Sequence, residues 1–164
     1  MTPVPLTRQE VACHIREAFR GVTLGNGVGL LEAQGIDDYA DEATRKTQRE
    51  QDEKYDWERI PIEALNQCHS SLSFFDAQGM RFHLPAFLIA ELNKELLISA
   101  VYHLAQLNDY SKSQLITLNS AQRKAISEFL LLIQNEADYE FDSPHIERAL
   151  SEYWIPVADS LPGS

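Results

Sequence analysis

The sequence predicts an all-α protein. Three observations point there. No segment sustains the alternation of a strand, apolar residues recur at helical spacing from Val11 to Trp154, and cap residues precede several of those runs. The expected organisation is a single domain over residues 1–164, with a core at about 7–155 and a tail at 156–164. About seven helices of unequal length surround a buried central helix, Pro-kinked or Pro-broken at Pro85. Unequal lengths and irregular loops separate this from a regular four-helix bundle.

Thr7 and Glu10 have capping-box spacing, and Val11, Ile15, Ala18 and Phe19 then mark one helix face, which Gly21 ends. The following GVTLGNGVG holds Gly21, Gly25, Gly27 and Gly29 and reads as a loop; its spacing is not that of a phosphate-binding fingerprint. Residues 37–58 carry nine acids and four bases around strong helix formers, which predicts an exposed helix at about 41–54. Tyr55 and Trp57 are expected to pin its end to the core. Pro61 suits the first turn of the next helix, whose apolar side is Ile62, Leu65, Cys68 and Leu72.

Asp76 reads as an N-cap. Residues 80–92 are apolar on nearly every side, the mark of a central helix, and Leu96 to Leu107 reads as a further buried one. NDYSKSQ reads as loop. Asn119 and Gln122 open a long helix with Ile126, Phe129, Leu130 and Ile133 on one face and Gln122, Arg123, Ser127 and Gln134 on the other. Ser143 and Pro144 cap and start a last amphipathic helix through Ile146, Ala149, Leu150, Tyr153 and Trp154.

The formal charge of −11 argues against a nucleic-acid-binding face and an anionic membrane surface, and suits a basic partner or plain solubility. No apolar stretch reaches the roughly 18 residues a bilayer span needs. MTPVPLTRQE lacks the basic and apolar regions of a secretory leader, so the expected location is the reducing cytoplasm, with Cys13 and Cys68 as free, buried thiols.

The sequence holds no HExxH, GxSxG, P-loop or paired CxxC, and no EF-hand order among its acids. The histidines, His14, His69, His83, His103 and His145, make no local metal motif; His83 and His103 lie on neighbouring buried segments and are expected to hydrogen-bond carbonyls. No metal or cofactor is expected. Inside a helix, Pro85 removes the bond to the Arg81 carbonyl and crowds it. The Arg81 guanidinium is placed to repair that joint or to pair with an acid such as Asp38 or Asp52.

Several stretches carry a resemblance: EAF at 17–19, EAQGIDDY at 32–39, Arg49, Asp52 and Trp57, LSFFDAQGMRFHLPAF at 72–87, ISEFLLLI at 126–133 and ALSEYW at 149–154. Over about residues 10–155 the chain resembles a bacterial family of unknown function marked by Arg-Phe-x-Leu-Pro-Ala-Phe and a terminal Ala-Leu-x-x-Tyr-Trp. The resemblance implies a small, soluble, one-domain bacterial protein and no activity. It singles out Glu32, Asp37, Asp38, Arg49, Asp52 and Arg81.

The first expectation is a non-enzymatic protein-binding module. Its sharpest form is an immunity-type protein that neutralises a basic toxin, such as a nuclease, through acidic blocks at 37–58 and 136–152. The alternative is a ligand-binding or enzymatic domain with a pocket near Pro85 lined by Asp38, Arg49, Asp52, Arg81 and His83. A third is a homo-oligomeric structural protein with Tyr153 and Trp154 at an interface.

Overall fold

The structure is a computed structural model that describes residues 5–156; the proposed tail falls almost wholly outside the described residues. Among those residues it is all-helical, with nine α-helices. In chain order they are α1 (Arg8–Ala18), α2 (Leu30–Asp37), α3 (Glu42–Gln51), α4 (Ile62–Gln67), α5 (Ala77–Leu92), α6 (Tyr102–Ala105), α7 (Asp109–Gln114), α8 (Ser120–Ile133) and α9 (Ser143–Ala149), the last continued by a π-helical turn, Leu150–Trp154. Short 3₁₀ turns lie at Trp57–Arg59, His69–Ser73 and Ala137–Tyr139.

α5 is the axis of the core. Phe82, Leu84, Phe87 and Leu88 are fully buried, and α5 packs against α1, α7 and the turn at Trp57. It runs unbroken through Pro85, so the expected break is absent. Its start is fixed by Asp76, whose carboxylate accepts from the Gly79 N–H. On the far side of α1 lies α8, against which the C-terminal turn packs. The Trp154 indole donates to the Leu104 carbonyl and the Trp57 indole to the Phe19 carbonyl, each tying two distant segments through one buried donor.

Two helices were not expected. α7 lies within NDYSKSQ, where Asn108 and Ser111 form a capping box. α2 follows Gly29, which has no side chain to cap it. Conversely, Leu96–Leu107 is not a buried helix. Lys94 adopts a left-handed conformation, φ 58°, and ends α5. The Asn66 side chain then brackets the turn, donating to the Glu95 carbonyl and accepting from the Leu97 N–H, while Leu97 itself is 85% exposed. Only Ala100 onward returns to the core, held by the buried Glu91 carboxylate, which accepts from the Ala100 N–H and the Ser99 and Tyr139 hydroxyls.

Further expectations need correction. Tyr55 is 79% exposed and does not pin the end of α3, whereas Trp57 is buried. The supposedly polar face of α8 is buried: Arg123 donates to the Leu115 and Leu118 carbonyls and the Tyr153 hydroxyl, and Gln122 to the Ala18 carbonyl. These bonds make burial of a guanidinium tolerable. Tyr153 and Trp154 are sealed inside the chain's own core and offer no interface. Cys13 is exposed, whereas Cys68 is buried and its thiol is pushed up to about 11, by burial and then by the charges of Asp52 and Asp38. A thiol-specific reagent at neutral pH should therefore label one cysteine in the native protein, Cys13, and two in denaturant; two fast-reacting thiols in the native state would contradict this packing.

Candidate functional site

The N-terminus of α2 presents free backbone N–H groups, and its N-cap, Gly29, has no side chain to meet them. Asp52, just past the end of α3, supplies the missing acceptor. Its two carboxylate oxygens accept from the N–H groups of Leu31 (2.7 Å) and Glu32 (3.2 Å). A Cβ on Gly29 would collide with the Asp52 side chain, so glycine is what lets the distant carboxylate in. Glu32 completes the arrangement by accepting from the Gly29 N–H. Burial raises the pKa of Asp52, and the two N–H bonds oppose that rise without cancelling it.

Arg49 stands beside this cap. One of its Nη atoms donates to the Gly25 carbonyl at 2.7 Å, and its Nε lies 3.9 Å from Glu32. The Lys54 ammonium donates to the carbonyls of Glu50 and Asp52. Glu32, Arg49 and Asp52 thus fasten α2 and the loop before it to α3, with Lys54 closing the end of α3 and one Arg49 Nη left buried without a partner among the described residues.

The remaining expected residues do not join it. Asp38 is the exposed C-cap of α2 and accepts from the Gln34 amide, as does Asp37. Arg81 makes no side-chain hydrogen bond among the described residues, and its Nε is buried without a partner, so it neither repairs the Pro85 joint nor pairs with Asp38 or Asp52. His83 is fully buried on α5. Its Nδ1 donates to the Gly79 carbonyl at 2.7 Å, Phe75 stacks on its ring at 4.3 Å and Phe82 meets it edge-on. His103 has Tyr102, not His83, as its ring neighbour.

Asp52 and His83 do share one feature. Both line a cavity of about 450 Å³ between α2, the 51–61 segment, α4 and α5. Its apolar wall is Leu30, Leu31, Ile60, Pro61 and Ala64, and Lys54, Tyr55 and Arg59 also border it. Of the five residues expected around Pro85, these two reach the cavity and Asp38, Arg49 and Arg81 do not. The apolar wall was missed because its members look like ordinary core positions. The His83 Nε2 has no partner among the protein's groups. With the proton held on Nδ1, Nε2 is an acceptor. Burial pushes the pKa of His83 from 6.5 down to about 4, so the ring is neutral at physiological pH. An unmet acceptor of this kind costs roughly 1–3 kcal/mol. Among the described residues, no group of three His, Cys, Asp or Glu side chains is placed to hold a metal ion, and no helix is long and apolar enough to cross a membrane.

A family model described as a family of unknown function (DUF6714) matches residues 7–158, and the chain belongs to that family. No curated protein and no solved structure matches it.

The cap predicts a sign reversal. Asp52→Ala should cost about 2 kcal/mol in urea unfolding by orphaning two N–H groups. Gly29→Ser alone should also destabilise, by displacing Asp52, yet in an Asp52→Gly background, which removes the Asp52 Cβ as well, it should restore stability relative to Asp52→Gly, because the serine hydroxyl caps α2 from its own chain position. Additive losses would refute the cap. For His83 the folded pKa is depressed, so its contribution is fully present above pH 6.5 and is lost as the pH falls toward 4. Wild type should therefore lose roughly 3 kcal/mol over that window relative to His83→Phe, whose side chain has no proton to take up. Parallel stability–pH curves for the two proteins would contradict the assignment.

Proposed function

We propose that this family member is a non-enzymatic protein-binding module that docks a basic protein on the acidic α2–α3 face, centred on Tyr39. The observation that carries this is Tyr39 itself. It sits past the end of α2 in the left-handed conformation, φ 58°, where the Ala40 and Tyr39 N–H groups close back on the Gly35 and Ile36 carbonyls. Glycine is favoured there, and a tyrosine costs about 1 kcal/mol more. Lys94, in the equivalent place after α5, pairs with Asp138. The Tyr39 side chain is 96% exposed and makes no hydrogen bond, ion pair or ring contact among the described residues. A strained, exposed aromatic residue without an internal role suits a docking anchor.

The charge arrangement supports the same face. Around Tyr39 stand Asp37, Asp38, Asp41 and Glu42. Of the bases in this block, Arg49 and Lys54 direct their heads inward to backbone carbonyls, which leaves the outward field more acidic than composition suggests. The second acidic block is better compensated: Arg8 pairs with Glu136, Lys94 with Asp138 and Arg148 with Glu152. An immunity-type protein that neutralises a basic toxin such as a nuclease is the specific form of this reading, since opposite charge speeds such encounters.

Tagged protein expressed in its native host should retain a basic protein at low salt and release it as salt rises. Tyr39→Gly should weaken that retention about tenfold while raising stability by about 1 kcal/mol, two effects of opposite sign that a merely structural residue would not give. Recovery of no basic partner at low salt, or undiminished retention by Tyr39→Gly, would overturn the proposal.

A further inference from the structure

The cavity beneath α2 carries a separate inference, independent of the docking face. We propose that it is a binding site for a small, neutral, largely apolar molecule bearing one N–H or O–H donor, which His83 Nε2 accepts.

The argument runs through the polar groups on the cavity wall. The Asp52 oxygens accept from the α2 backbone. The Lys54 ammonium is held by two carbonyls. Glu53 accepts from the N–H groups of Tyr55 and Asp56, and Arg59 pairs with Asp56. The buried charge, Asp52, already has its partners, while Glu53 and Arg59 keep uncommitted atoms at solvent-facing positions, where a charged contact gains little. Among the buried polar side-chain atoms of the lining residues, one has no partner among the described residues, the His83 Nε2. It is fixed rather than adaptable: Nδ1 is held by the Gly79 carbonyl, and Phe75 and Phe82 clamp the ring in two directions. A hydrogen-bond acceptor locked in place on a cavity whose apolar wall is Leu30, Leu31, Ile60, Pro61 and Ala64 selects for a molecule with an apolar body and a donor for that nitrogen. At about 450 Å³ the space is of ligand-site size.

The test uses indole and 1-methylindole, two probes of nearly the same shape that differ in the N–H donor. In the full chain with ¹⁵N-labelled histidine, indole should bind saturably and shift the His83 Nε2 resonance upfield, as hydrogen bonding to an unprotonated ring nitrogen does. 1-Methylindole should bind about tenfold more weakly, the worth of one hydrogen bond at a buried site. His83→Phe should abolish the preference between the two probes. Ala64→Leu, which adds bulk to the cavity wall and leaves His83 intact, should weaken binding of both and keeps the test valid if His83→Phe does not fold. Four results would each overturn the proposal: no binding of indole, equal binding of the two probes to wild type, a retained preference in His83→Phe, or undiminished binding to Ala64→Leu. A His83 resonance that responds to neither probe would overturn it as well.

Discussion

One buried carboxylate organises the N-terminal half of the molecule. α2 is only eight residues long and its own N-cap is a glycine, so nothing local terminates its first turn. A helix of that length is not stable by itself. Asp52 reaches in from the end of α3, meets two of the free N–H groups and adds a negative charge at the positive end of the helix. The consequences spread outward. α2 is locked against α3, the loop through Gly25 and Gly29 is drawn onto Arg49 and Glu32, and Leu30 and Leu31 are set as a wall of the cavity. Burial works against the same carboxylate by raising its pKa. The cap therefore stands on geometry more than on charge, and geometry is what the absent Cβ of Gly29 provides.

The pattern recurs elsewhere. Short helices leave many chain ends, and here those ends are met by side chains from remote parts of the sequence. Glu91 holds the return of the chain at Ala100. Gln114 donates to the Leu72 and Phe75 carbonyls beside the start of α5. Arg123 gathers the carbonyls at the end of α7 and the start of α8 together with Tyr153. The buried polar residues of this protein are chiefly connectors between segments, which is why so many sit inside a core that composition alone would make purely apolar.

That division explains which parts were legible in the sequence. Helices with local signals were: the Thr7–Glu10 and Asn119–Gln122 boxes and the Asp76 cap lie where expected. α2 was not, because its cap lies 20 residues away. The buried face of α8 was misread because Arg123 and Gln122 look like surface residues until their carbonyl partners are known. The stretch from Leu96 misled in the opposite sense, since apolar composition said nothing of the Asn66 and Glu91 bonds that hold it out of helix. Among the site residues, His83 stood out as a polar group in an apolar run, whereas Asp52 lies in a charged block and was singled out only as an acid for Arg81 and through the resemblance. Their shared cavity depends on contacts between α2, α4 and α5 that no local spacing encodes, whereas Arg49 belongs to the cap and Asp38 and Arg81 to neither.

The two candidate surfaces differ in a way that physical chemistry makes consistent. On the outside, acids face solvent while neighbouring bases turn inward, which projects a field suited to a large, oppositely charged partner. In the cavity the opposite holds: the buried charge, Asp52, is met within the protein, and the buried polar atom without a partner is a neutral nitrogen. The proposed long-range attraction and short-range selectivity thus sit at opposite ends of α2. Because Asp52 fixes that helix for both, loosening its N-terminus would disturb the cavity wall directly and the docking face only through α3.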